Sequence, residues 1–268
     1  MTISRTVLAM GTLTAILLGL CLARIAEATP PTRLDATFIP KRLGQRTTLE
    51  FGFSFGAPAG QVPSPLTQIE LRYPENLGLG LSGLGLATCA DQTLEVSGPS
   101  GCPPDSVMGY GAALTGIVLG TTVITESAPI TILRSPNQEG HLAVLFSAEG
   151  TTPVDTRIVF PGLLLPAPAP FGGQVSVGVP LVPTLPGAPY ISVIRLHATI
   201  GPQKVTYYEQ AGGRTLAYQP KGILLPRSCP RRGFPFAAQF SFLDGSVASA
   251  HTIAPCPAQS RRNGSGHR

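Results

Sequence analysis

Thr48-Leu49-Glu50-Phe51-Gly52-Phe53-Ser54-Phe55 reads TLEFGFSF, and its alternation decides the fold class. Leu49, Phe51, Phe53 and Phe55 share one parity, while Thr48, Glu50, Gly52 and Ser54 take the other. A period of two marks a strand with one buried face; an amphipathic helix repeats every 3.6 residues. Similar runs continue along the chain: LTQIELRY from Leu66, SVMGYGAALTGIVLG from Ser106, TTVITESAPITILRS from Thr121, HLAVLFSAE from His141, TRIVF from Thr156 and YISVIRLHATI from Tyr190. No amphipathic helix is evident beyond the N-terminal segment. With 31 glycines and 28 prolines serving as turn formers, ten to twelve short strands predict an all-β fold. The expected form is an antiparallel β-sandwich, immunoglobulin-like or elaborated, in one domain over residues 29–256. The Pro-rich crossing PGLLLPAPAPFGG from Pro161 and the stretch PTLPGAP from Pro183 are expected to be surface loops or edge strands, because proline cannot donate to a sheet ladder; a split between Pro161 and Pro189 is the alternative to one domain.

The C-terminal hairpin is explicit. Phe234, Phe236, Phe240 and Phe242 share one parity, and Asp244-Gly245 has the form of a two-residue type I′ turn. That turn pairs Phe242 with Val247, Phe240 with Ser249 and Ala238 with His251. Gly212-Gly213 and Gly120 mark two further turns.

The N-terminal residues contain Arg5, an apolar run from Thr6 to Ala23 and Ala26-Glu27-Ala28. These are the three parts of a secretory signal peptide, with cleavage expected after Ala28. An uncleaved anchor is the competing reading, since the run approaches the roughly 18 residues needed to cross a bilayer. Cleavage removes Cys21 and leaves Cys89, Cys102, Cys229 and Cys256. An even number of cysteines in an exported chain indicates disulfides. Proximity favours Cys89 with Cys102 and Cys229 with Cys256 among the three possible pairings. No histidine stands at zinc-ligand spacing from them, so neither a metal nor another cofactor is expected.

The sequence pI is about 9.1 and the net charge +5. Residues 1–28 carry two arginines and one glutamate, so the processed chain is at +4, three of which are Arg261, Arg262 and Arg268. The body is nearly neutral, and residues 257–268 are expected to form a flexible basic tail. Nucleic-acid binding requires clustered basic residues on one face; only Arg227, Arg231 and Arg232 come close.

Two cysteine-bounded stretches carry a resemblance. Cys102 opens CPPDSVMGYGAA, a C-P-x-x-S-x-x-G-x-G pattern, and the chain ends its body with C-P, G-F-x-F, D-G-S and C-P from Cys229 to Pro257. Together they resemble a loosely defined group of uncharacterised secreted bacterial β-proteins. The resemblance implies export and disulfide bonding and transfers no functional residue.

Gly52-Phe53-Ser54-Phe55-Gly56 also fits G-x-S-x-G, the nucleophile elbow of serine hydrolases. An elbow needs a strand, a sharp turn and a helix starting directly after the serine, whereas Gly56-Ala57-Pro58-Ala59-Gly60 follows. Ser54 is therefore read as the polar face of a strand, with an extracellular serine hydrolase as the third-ranked function. Gly78-Leu79-Gly80-Leu81-Ser82-Gly83 fits G-x-G-x-x-G, but the dinucleotide fingerprint requires a helix opening there, and the glycine density predicts a loop. Asp91, Glu95 and Asp105 are assigned to turn and loop solvation.

Tyr207, Tyr208 and Tyr218 gather on the Gly212-Gly213 hairpin, where one of the adjacent pair must face solvent. They carry the second-ranked function, a carbohydrate- or protein-binding module whose partner would be a cell-envelope glycan or a surface protein. The leading expectation is a secreted, non-enzymatic β-sandwich with a structural, cell-surface or binding role. Intact mass of the exported protein is expected to show loss of residues 1–28 and alkylation of four cysteines only after reduction; free thiols on a full-length chain would contradict export.

Overall fold

The computed structural model describes residues 31–151, 155–184 and 189–257. The segment read as a signal peptide and residues 258–268 of the tail lie outside them. Fourteen strands follow in chain order among the described residues: β1 Thr32–Ile39, β2 Arg46–Phe55, β3 Leu66–Pro74, β4 Val107–Leu119, β5 Thr122–Gln138, β6 His141–Gly150, β7 Thr156–Leu165, β8 Phe171–Gly178, β9 Ser192–Ile200, β10 Tyr207–Ala211, β11 Arg214–Tyr218, β12 Ile223–Leu224, β13 Phe234–Phe242 and β14 Val247–Ala254. A helix α1, Asp91–Ser97, lies between β3 and β4.

The fold is all-β, antiparallel and stapled by two disulfides, Cys89–Cys102 and Cys229–Cys256. Its layering differs from the expected sandwich. One continuous sheet runs β1-β2-β9-β4-β5-β6-β7-β8-β3-β13-β14, with β12 added beside β2. The sheet curls until β14 lies alongside β1, forming a nearly closed barrel. Every neighbouring pair on this path is antiparallel. Since the path has eleven strands, its two ends run in the same direction. No ladder joins β1 to β14; side chains close the seam instead, with Phe38 of β1 against Phe234 and Phe236 of β13 at ring-centroid distances of 5.5 and 5.9 Å.

The alternation read from TLEFGFSF holds around the ring. Leu49, Phe51 and Phe53 of β2 sit opposite Ile200, Ala198 and Leu196 of β9, and all six face the interior. Phe53 and Phe55 reach across to Phe240 of β13, with ring centroids 4.8 and 4.9 Å apart. That half of the barrel is filled by phenylalanine. The opposite wall carries small residues at its inward positions, among them Gly111, Ala113, Ala128, Ala148 and Gly162. Gly109 and Gly111 also let β4 approach β9 closely: a Cβ at Gly109 would lie 2.0 Å from the Thr199 carbonyl oxygen, and one at Gly111 2.6 Å from that of His197.

Three sequence expectations change. The β13–β14 turn is longer than two residues: Ser241 pairs with Val247, Phe240 with Ala248 and Ala238 with Ala250. Leu243-Asp244-Gly245 forms the loop, Gly245 takes φ +83°, and Asp244 Oδ1 accepts hydrogen bonds from the Ser246 amide and hydroxyl at 2.9 and 2.7 Å. A one-residue slip moves every side chain of a strand to the other face. The inward residues of β14 are consequently Ala248, Ala250, Thr252 and Ala254, with Ser249 and His251 outside. Secondly, β7 continues through Pro161 to Leu165 where a surface loop or edge strand was expected. The proline is tolerated because the β7–β8 ladder begins only at Gly162. Pro129 in β5 likewise sits just before the β5–β6 ladder begins at Ile130. Thirdly, Asp91 and Glu95 lie in helix α1, which the sequence did not reveal. Its Leu94 is fully buried with Leu133, Leu145 and Tyr207 outside the barrel wall.

Phe240→Ala is expected to cost about 3–5 kcal/mol, the range for a large aromatic lost from a packed core. Phe146→Ala, on the half lined by small residues, is expected to cost clearly less. Equal costs in urea unfolding would contradict the uneven packing of the two halves.

Candidate functional site

The barrel's uneven filling leaves an internal cavity of about 220 Å³. Its wall is drawn from one face of β2, β3, β4, β5, β6, β7, β8, β9 and β13, with Phe51, Ile69, Ile132, Phe146, Leu164 and Val177 representative of its lining. Several of these large side chains are only half-buried although they point inward, because they border the unfilled space. An apolar protein cavity of about 150 Å³ stays dry and admits benzene, so this lumen is large enough to accept a hydrocarbon group.

One end of the lumen is plugged by the Leu-Gly run after β3. Leu77, Leu79, Gly80 and Leu84 line the cavity, and no helix opens within the G-x-G-x-x-G match. The plug is fixed from outside. The Gly85 amide donates to the Tyr207 hydroxyl at 2.9 Å, and that hydroxyl donates to the Val107 carbonyl at 2.6 Å. Cys89, at the end of the run, donates its amide to the Arg134 carbonyl at 2.8 Å.

Few polar side chains reach the lumen. At the end away from the plug, the Glu126 carboxylate accepts hydrogen bonds from the Thr151 amide and from its hydroxyl, the latter at 2.8 Å. Near the plug, the tyrosine of β3, Tyr73, lines the wall, and burial pushes its phenol above the ordinary value. Arg134 stands at the plugged end of β5. Its Nη2 donates to Asn137 Oδ1 at 2.9 Å, while its Nε is buried with no hydrogen-bond partner. Among the described residues no carboxylate comes within ion-pair reach of it. Gly85 lies against its stem, so that a Cβ there would stand 2.7 Å from Arg134 Cβ. Sequence reasoning passed over Arg134, although Ile130-Ile132-Arg134 puts an arginine on the apolar parity of a strand.

The tyrosines named from the sequence divide. Tyr207 is 0% exposed, stacked edge-on against Tyr218 at 5.8 Å, and it holds the plug. Tyr208 is 55% exposed and faces solvent on the two-stranded β10–β11 hairpin. Tyr218 is half-buried, so Tyr208 and Tyr218 are the two with surface to offer a partner. The cysteines form the disulfides given above.

Ser54 lies on the outer face of β2, between Arg33 of β1 and Arg195 of β9. Gly52, one position along that face, sits between Asp35 and His197. These residues edge a shallow outer depression. No hydrogen bond joins Ser54 to His197 or His197 to Asp35, and β2 ends at Phe55 without a following helix. The serine, imidazole and carboxylate share a surface without the relay that would activate a nucleophile.

Comparison with known proteins returns no matching family model, no matching curated protein and no matching solved structure.

Burial is the main cause that pushes the Tyr207 phenol up to about 12; the Gly85 amide offsets part of this, and Asp105, Tyr218 and Tyr110 add to it. A raised folded pKa means that the folded state keeps a proton the unfolded state has lost. Its contribution is complete below pH 10, the ordinary tyrosine value, and is lost as pH rises toward 12. Stability measured by denaturant titration is expected to fall across that window, and less steeply in Tyr207→Phe, with Tyr73 supplying a remainder. An unchanged slope in that variant would contradict the assignment.

Proposed function

We propose that this protein is an exported binding protein that holds an apolar ligand inside its barrel, and that it acts by binding rather than by catalysis. The observation that carries this reading is the lumen wall: aliphatic and aromatic side chains line an unfilled space and are only half-buried in it. Transferring hydrocarbon from water into such a site contributes about 0.8 kcal/mol for each buried CH₂. A largely apolar concavity with a few placed polar groups is the usual form of a small-molecule site.

The outer surface supports a water-facing protein. Arg33, Asp35, Gln68, Arg195, His197, Gln239 and His251 point outward from β1, β3, β9, β13 and β14, opposite in parity to the lumen. A barrel that spans a membrane carries an apolar band outward, the reverse arrangement. No helix among the described residues is long and apolar enough to cross a membrane. The two disulfides fit an oxidising compartment, in keeping with secretion. A glycan would find few hydrogen-bonding groups in the lumen, so the envelope-glycan reading falls to the exposed Tyr208, and the lumen is assigned to a lipid-like molecule.

N-phenyl-1-naphthylamine, a neutral apolar fluorophore, is expected to brighten and shift to the blue on binding the full chain. Ala148→Trp places an indole in the lumen and is expected to abolish that signal while the unfolding transition stays cooperative. A wild-type protein without enhancement, or an Ala148→Trp variant that binds as well as wild type, would sink the proposal.

A further inference from the structure

We infer that the lumen's ligand is a single-chain amphiphile with an anionic head, and that Arg134 is the residue that receives the head. This rests on the lumen reading above and deepens it by naming the ligand class.

Arg134 carries a charge that no carboxylate of the described residues matches. A guanidinium is ionised at any pH the fold tolerates and presents five N–H donors. Arg134 uses Nη2 on Asn137, at the exposed rim. Its Nε is buried and meets no acceptor among the described residues. A buried donor on a charged group without a partner is costly, and native structures pair such groups. No carboxylate of the described residues supplies the pairing. A ligand anion would supply both, an acceptor for Nε and a negative charge beside the guanidinium.

The position of Arg134 then sets the ligand's shape. Ile132 and Ile130 follow it at two-residue spacing down β5, and Val144, opposite Arg134 on β6, is followed by Phe146 and Ala148. All line the lumen. Polar side chains stand at the two ends of the lumen, Arg134 and Tyr73 at the plugged end and Glu126 at the other, and Arg134 is the cation among them; the walls between are hydrocarbon over several residues. Each residue of a strand advances about 3.3 Å, so the wall from Arg134 to Ala128 runs roughly 20 Å. That suits one extended alkyl chain with its head at Arg134. The head is held in a prearranged place: Gly85, at φ +62°, rests on the Arg134 stem, and Tyr207 ties Gly85 from the outer side. Tyr73, at the same end of the lumen wall and with no hydrogen bond from its hydroxyl to the other described residues, adds a second polar group at that end.

The test is competition against bound N-phenyl-1-naphthylamine by dodecanoate, dodecyl phosphate and 1-dodecanol at neutral pH. A charge-assisted hydrogen bond in a sheltered site is worth at least about tenfold in affinity, so dodecanoate is expected to displace the fluorophore at no more than one-tenth of the dodecanol concentration. Displacement by dodecyl phosphate as well would show that charge is what Arg134 reads; displacement by dodecanoate alone would show that a planar carboxylate is required. The acid-over-alcohol ratio is expected to collapse toward one in Arg134→Met and to be largely kept in Arg134→Lys. Equal displacement by acid and alcohol in the wild type overturns the inference while leaving the apolar lumen standing, and needs no variant to fold. An undiminished ratio in Arg134→Met also overturns it. Absence of fluorophore binding in the wild type overturns the lumen reading and this one with it.

Discussion

The structure depends on a relation between the circumference of a ring and the length of a side chain. Around eight strands, inward side chains just meet at the axis, and a wider ring leaves space. Here eleven strands form the ring, and phenylalanine is the longest apolar side chain the protein uses, since it has no tryptophan. The seven phenylalanines at positions 38, 53, 55, 234, 236, 240 and 242 concentrate on β1, β2 and β13 and pack that side into one cluster. The facing wall of β4, β5, β6 and β7 answers with glycine and alanine at many inward positions. The empty space follows from where the large side chains are placed as much as from the number of strands.

Much of the scaffold was legible because its signals are local. TLEFGFSF states its own period, and Gly212-Gly213 states its own turn, with Ala211 paired to Arg214 as a two-residue loop requires. The cysteine-bounded motifs were legible as landmarks and prove to be structural throughout. Ser106 donates to the Pro103 carbonyl at 2.6 Å, Gly109 and Gly111 permit the β4–β9 approach, and Gly233 closes a turn onto the Pro230 carbonyl at 2.9 Å. Where two local signals competed, the sequence misled. Asp244-Gly245 matches a two-residue turn, but the interior has room for Ala248 and Ala250 beside Phe240 and Ala238, and the burial of that face sets the register.

The lumen was illegible for a different reason. It exists only once β3 has paired with β8 and β13, more than a hundred residues away, and no window of sequence contains that relation. A sandwich and a barrel share the same alternation along each strand; they differ in whether the sheet is one or two. Helix α1 escaped because seven residues with one buried position, Leu94, have no period to read. Arg134 was visible as a parity violation, but its meaning depends on the cavity. The outer layer has its own logic: α1, the Cys89–Cys102 disulfide and Tyr207 form a small second core on the outside of β5 and β6, and through Gly85 that core holds the plug in position.

The odd number of strands has a temporal consequence. β1 and β14 are the first and last strands in chain order and meet at the one seam without a ladder. During synthesis, β3 has no β13 to pair with until some 160 residues later, and Phe38 has neither Phe234 nor Phe236 to stack upon. The ring cannot be completed from its N-terminal end by stepwise addition; it must wait for the C-terminal hairpin, which supplies the β13 partner for β3 and the neighbour for β1 together. Until then Phe53 and Phe55 of β2 lack Phe240, the ring that they pack against. A chain held in this incomplete form presents a long apolar trough, which closes only when the last hairpin arrives.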